Sequence, residues 1–105
     1  MHQNKHIQTT LHIKGVGLVE VVTVTGLARI IGKSRNTVLR YEQTDIFPLA
    51  PIMVGSNRYY PLSLAHKLVP LVSRLPNGRK PEPELVATIN KLFKEEKNKL
   101  LCQQK

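Results

Sequence analysis

Cysteine is nearly absent from this chain: Cys102 is the only one among 105 residues. A single thiol closes no intrachain disulfide and builds no thiolate metal cluster, so a reducing intracellular compartment is the simplest expectation. Long apolar runs are missing too. No stretch approaches the roughly 20 residues of a membrane span, and the opening MHQNKHIQTTLHIKG lacks the apolar centre of a secretory signal. The expected location is the cytoplasm, with no membrane partner. Acidic residues are scarce, seven against sixteen Lys and Arg. No acid–base pair, activated nucleophile or carboxylate cluster stands out, so the expectation is a protein that is not an enzyme and holds no metal or cofactor.

What is present is positive charge: +9 overall, with a pI near 10.1. It is unevenly placed, since residues 1–80 carry eleven of the sixteen cations and three of the seven acids (Glu20, Glu42, Asp45). An excess of this kind favours an anionic partner. Solubility alone is the plainer explanation, so charge by itself does not decide.

The stretch Leu27 to Glu42, LARIIGKSRNTVLRYE, carries more information. Leu27, Ile30 and Ile31 share one face at helical spacing, in a helix opening at Thr25. Gly32 tolerates the left-handed backbone of a sharp turn. Ser34 is a good N-cap for a second, basic helix running to about Gln43. That is the layout of a helix-turn-helix, whose second helix enters the major groove of duplex DNA.

Around it, residues 7–25 are β-branched and partly alternating, and Gly15-Val16-Gly17 predicts a turn between two short strands. Asp45 to Pro51 holds two prolines and reads as a loop. Ile52-Met53-Val54, Gly55-Ser56-Asn57 and Arg58-Tyr59-Tyr60 then predict a second hairpin, placed as a wing. Pro61 and Ser63 set up a helix over about 62–75, which Pro70 should kink or split. After a short basic linker, Glu82 and Glu84 open a last helix and Lys97 and Lys99 lie near its end, matching the macrodipole. Leu85, Ile89, Leu92, Phe93, Glu96 and Leu100 form its mostly apolar stripe.

The expected architecture is therefore mainly α with a small β component. It comprises an N-terminal β-rich segment (1–23), a winged helix-turn-helix (24–78), and a linker with an amphipathic C-terminal helix (79–105). Lys33 and Ser34 are expected to fix the recognition helix on phosphates. Arg35, Asn36, Thr37 and Arg40 supply base-edge contacts, because Arg suits guanine and Asn suits adenine bidentately. Asn57 and Arg58 reach from the hairpin tip to a phosphate or a narrow minor groove. The competing reading is a solvated surface helix beside an ordinary turn.

The order of helix, Gly32-Lys33-Ser34, basic helix, proline loop, Gly55-x-x-Arg58-Tyr59 hairpin and Ser63-led helix resembles the MerR-like winged-helix superfamily. Ser34-Arg35-Asn36-Thr37-Val38-Leu39-Arg40 is similar to the Ser-Arg-x-Thr-Val-x-Arg pattern of its excisionase-type members. Members of the regulator branch read Ser-Pro-x-Thr-Leu-Arg-Tyr-Tyr-Glu here. An ungapped match from Gly32 keeps Thr37, Tyr41 and Glu42, and puts Leu39-Arg40 where that branch has Arg-Tyr. The resemblance spans about Val24 to Leu75. It implies binding of double-stranded DNA, with Tyr41 contributing a backbone contact. Its regulators carry effector ligands, often cysteines, beside a long dimerisation helix. Here a tail of about five turns with a solitary Cys102 leaves no small-molecule effector evident.

The tail stripe either packs on the domain or pairs with a second copy, and a homodimer through this helix is the favoured expectation because two recognition helices would read a repeated half-site. His2 and His6 have helical metal-ligand spacing but no third ligand nearby. Tyr59 and Tyr60 lack the Arg/His or carboxylate cluster of a DNA-cutting tyrosine enzyme. Gly15-Val16-Gly17 is no phosphate loop, since no Gly-Lys-Ser/Thr follows at the required spacing. The expectation is a sequence-specific DNA-binding protein, foremost a small transcriptional regulator. Alternatives are an architectural accessory protein for recombination, partition, transfer or packaging of DNA, and a protein-interaction adaptor built on the same fold.

Overall fold

In the computed structural model, the structure describes residues 7–76 and 80–102, the side chains of 101 and 102 excepted. β1 (Gln8–Ile13) and β2 (Gly17–Val22) pair antiparallel in register from Gln8↔Val22 to Ile13↔Gly17. The turn between them closes with the Val16 N–H donating to the Ile13 carbonyl at 2.9 Å. Along β1 exposed and half-buried residues alternate strictly, the period of a strand with one covered face.

Two helices follow, α1 (Val24–Ile31) and α2 (Arg35–Gln43), then β3 (Ile52–Val54), β4 (Asn57–Pro61), α3 (Leu62–Val72) and α4 (Pro83–Cys102). Among the described residues the result is an α/β fold of four helices and one four-stranded antiparallel sheet in the order β1-β2-β4-β3. The sheet is larger than the small β component expected. Its two hairpins are joined, because β2 pairs with β4 at Val21↔Pro61 and Val22↔Tyr60. Strand β2 is thus not separate in packing from the helices and hairpin that follow it: Val21 and Val22 are completely buried.

Helix α1 begins one residue earlier than the sequence suggests, because Thr23 and not a later residue caps it. The Thr23 hydroxyl accepts the Gly26 N–H at 3.1 Å, covering a first-turn donor with no intrahelical partner. Gly26 is there for space. A Cβ at that position would overlap the Ile7 carbonyl group and come within 2.9 Å of the Val22 side chain. The Ile7 carbonyl is held close by the Thr23 N–H at 2.9 Å, so chain and helix approach across a glycine.

Helix α3 continues through Pro70 and ends two residues later, at Val72. The expected split of a helix reaching about residue 75 is corrected: the helix is unbroken and shorter, and the proline falls in its last turn, where one lost backbone donor interrupts little. Ser73 then caps the end, its N–H on the Val69 carbonyl at 3.2 Å and its hydroxyl on the Pro70 carbonyl at 2.8 Å. Asn77, Gly78 and Arg79, expected as a turn and linker, lie outside the described residues.

The core gathers α1, α2, β2, β4, α3 and α4 around Leu27, Val38, Leu64, Leu68, Ile89 and Phe93. Helix α4 belongs to it. Leu85, Ile89 and Phe93 are between 0% and 3% exposed, so this part of the tail's apolar stripe packs on the domain, while Leu92 and Leu100 are half-buried. Among the described residues, no helix is long and apolar enough to cross a membrane.

The stripe ends in a charge. Glu96 is 4% exposed, and its carboxylate accepts the Ser63 hydroxyl at 3.0 Å and the Lys67 ammonium at 3.0 Å, with Lys99 at 3.4 Å. Burial pushes its pKa up. The hydrogen bonds from Lys67 and Ser63, with the charges of Lys67 and Lys99, outweigh that and hold it below the usual 4.5. A depressed carboxylate contributes stability that is present above the unfolded value and is lost as pH falls through the folded one. Glu96→Gln should therefore cost about 1–3 kcal/mol at neutral pH. Its urea midpoint should converge on that of the parent as pH drops below the ordinary carboxylate range. Parallel midpoint curves for the two proteins across that range would contradict this account.

Candidate nucleic-acid interface

The link between α1 and α2 is built from three residues. Gly32 sits at φ 74°, ψ 30°, the left-handed region that side chains with a Cβ resist. No atom lies within 4 Å of the position a Cβ would take there, so backbone conformation alone calls for glycine. The Lys33 N–H closes the end of α1 on the Ala28 carbonyl at 2.9 Å. Ser34 caps α2: its hydroxyl accepts the Thr37 N–H at 3.1 Å and pairs with the Thr37 hydroxyl at 2.8 Å. Both hydroxyls expected to touch DNA are thus hydrogen-bonded to one another in the cap.

Helix α2 is anchored by Val38 and Tyr41, its two buried residues. Opposite them Arg35, Asn36, Arg40 and Gln43 are exposed and Leu39 is half-buried. While Leu39 packs against the margin of the core, at 3.6 residues per turn the outward face centres on Asn36 and Gln43. Arg35 flanks it on the side of the β3–β4 hairpin, where it shares a cleft with Ser56, Asn57 and Arg58. Arg40 flanks it on the other side, beside Tyr41 and Asn90. Gln43 was not among the expected contacts, although its place seven residues after Asn36 puts it on the same face. Among the described residues neither Lys33, Arg35 nor Arg40 has an ion-pair partner.

Two expected contacts sit differently. Tyr41 is 7% exposed, its ring edge-on to Phe47 with centroids 5.1 Å apart. Burial raises its phenol pKa, with the Arg40 charge pulling the other way. The structure gives this ring a place in the core beside Phe47. Arg58 is held by Glu42. Its Nη2 lies 2.8 Å from Glu42 Oε1 and its Nε donates to Oε2 at 2.9 Å, a two-pronged pair that fixes orientation as well as distance. The hydrogen bond from Arg58 to Glu42, then the charge of Glu42, raises the guanidinium pKa further. Arg58 therefore ties β4 to α2 with its charge balanced, while Asn57 at the tip is exposed.

The end of α2 is capped by Asp45, at φ 64°. The Ile46 N–H reaches the Tyr41 carbonyl at 2.9 Å and the Asp45 N–H the Glu42 carbonyl at 3.3 Å, the paired bonds of a Schellman ending. Beyond it an open, mostly apolar groove of about 990 Å³ runs between Tyr41, Ile46, Pro83, Val86 and Asn90. Asn90 braces this junction by donating to the Val86 carbonyl at 2.8 Å and the Ile46 carbonyl at 3.4 Å.

Burial first, then the nearby Glu42 charge, pushes the Tyr60 phenol up to about 12 against the pull of Arg58. This is the opposite of what a tyrosine nucleophile needs. Among the described residues no group of His, Cys, Asp and Glu could hold a metal ion; His2 and His6 lie outside them. Comparison of the chain with family models, with curated proteins and with solved structures returns no match.

The Glu42–Arg58 pair is the only ion pair among the described residues that joins α2 to the hairpin. Glu42→Gln should lower stability by about 1–3 kcal/mol, nearer the low end because Arg58 is partly exposed. Hydrogen exchange at the β3–β4 amides should speed up more than exchange in α3. Unchanged exchange in the hairpin would show that the pair does not hold it.

Proposed function

We propose that this chain binds duplex DNA sequence-specifically as a winged helix-turn-helix protein and serves as a small transcriptional regulator. In this reading α2 lies in the major groove and the β3–β4 hairpin is the wing. The observation that carries it is the division of α2. Val38 and Tyr41 fix one side in the core with Leu39 packed at its margin, while Asn36 and Gln43 face outward between two arginines that have no ion-pair partner among the described residues. A helix held rigidly on one side and offering amide and guanidinium groups on the other suits base-edge readout.

The remaining features agree with that role. The Glu42–Arg58 pair sets the hairpin at a fixed angle to α2, so wing and helix meet the duplex as one body. The formal charge of +9 draws the protein to phosphates before any base is read. Asn36 and Gln43 suit adenine edges, and Arg40 a guanine edge. Bound within a promoter, the protein would block or recruit polymerase.

The test is a duplex selected from a random pool. Binding of the parent should weaken steeply with salt, by about 0.9 in logarithmic slope for each phosphate engaged. Arg35→Ala combined with Arg40→Ala should abolish selective binding and leave the circular dichroism spectrum and melting cooperativity unchanged. Selective binding that survives the double change would mean that another surface reads the DNA.

A further inference from the structure

A polar cleft of about 300 Å³ opens between the start of α1, the start of α2 and the tip of the β3–β4 hairpin. Thr25, Arg35, Ser56, Asn57, Arg58 and Tyr59 line it together with Thr23 and Val24. Two arginines face it and, among the described residues, no carboxylate does. Arg58 arrives with its charge already matched by Glu42 at 2.8 Å, so Arg35 supplies the net charge. Arg35 is exposed and, among the described residues, has no ion-pair partner.

The other walls add donors. The Thr23 hydroxyl is engaged in capping Gly26, which leaves the N–H groups of Val24 and Thr25 without an acceptor inside the helix. The hydroxyls of Thr25 and Ser56 and the amide of Asn57 can each donate as well. Donors converging from three separate elements around one guanidinium are what a tetrahedral oxyanion requires.

Resting on the DNA-binding reading above, we infer that this cleft is the seat of one backbone phosphate of the duplex. It clamps that phosphate between α1, Arg35 and the wing tip. Arg35 then positions α2 in the groove and does not read a base. That role was assigned to it from sequence alone, where its place on the flank of α2 nearest the wing is invisible. Base reading falls to Asn36, Arg40 and Gln43, which lie further round the helix.

The full-length protein tests this with two variants, Arg35→Ala and Ser56→Asp, the second placing a carboxylate at the mouth of the cleft. Each should weaken a selected duplex and an unrelated duplex by the same factor. For Arg35→Ala the logarithmic salt slope should fall by about 0.9. Arg40→Ala should instead narrow the gap between the two duplexes. Loss confined to the selected duplex in Arg35→Ala would overturn the assignment and return Arg35 to base reading. Titration of the free protein with inorganic phosphate, followed by amide chemical shifts, separates the cleft from the DNA reading. Saturable shifts at Thr25 and Ser56 that Arg35→Ala abolishes support an anion seat even if the parent binds no duplex. Their absence from the parent would overturn the seat even if duplex binding is strong.

Discussion

Four of the five aromatic rings in this chain touch in one line, and the placement of every outward-facing group depends on it. Tyr41 of α2 meets Phe47 of the following loop at 5.1 Å, Phe47 meets Phe93 of α4 at 5.2 Å, and Phe93 meets Tyr60 of β4 at 6.2 Å. Edge-on and tilted contacts of this kind add about 0.5–1.5 kcal/mol each beyond the area they bury. Their larger effect is geometric. A helix of nine residues is too short to persist alone in water. It is held because Val38 and Tyr41 are buried in the core, where Tyr41 joins a row of rings that runs through Phe47 to α4 and β4. The same row fixes β4, and through β4 the hairpin, relative to α2.

Polar pairs finish what the rings begin, and they divide the cations into two groups. Arg58 is matched by Glu42, and Lys67 and Lys99 converge on Glu96; these charges hold elements together. Lys33, Arg35 and Arg40 stand outside that network on and beside α2. Removing the buried carboxylate of Glu96 takes from Ser63 and Lys67 of α3 their partner on α4. Removing an outward arginine disturbs no packing. That separation lets a small fold carry a strongly positive surface without straining its interior.

Much of this was legible in the sequence because it is local. Gly32 and Ser34 announce the turn and the cap with their own chemistry, and the spacing of Leu27 and Ile31 gives the buried side of α1. The Ser56-Asn57 turn and the break at Pro61 are equally local. What stayed hidden depends on partners far along the chain. Nothing near Glu42 announces Arg58, sixteen residues on, and Glu96 looked like a stray charge in a stripe until Ser63 and Lys67 were beside it. The α4 stripe is apolar by its periodicity, but a periodicity does not say what covers a face; that Leu85, Ile89 and Phe93 lie in the core shows only in the packing. Gly26 passed unnoticed because the strand it admits is invisible from its own neighbours.

The proposed DNA-binding surface is continuous: the outward side of α2, the cleft beside it and the hairpin tip, carried by a core to which α4 contributes. Amide shift mapping of the full-length protein with a duplex selected from a random pool tests it most directly. The predicted result is a continuous patch of perturbation over Thr25, Lys33 to Arg40, Gln43 and Ser56 to Arg58, with the exposed side of α4 and the β1–β2 turn unaffected. Perturbation concentrated on α4 or the β1–β2 turn, with α2 silent, would contradict it.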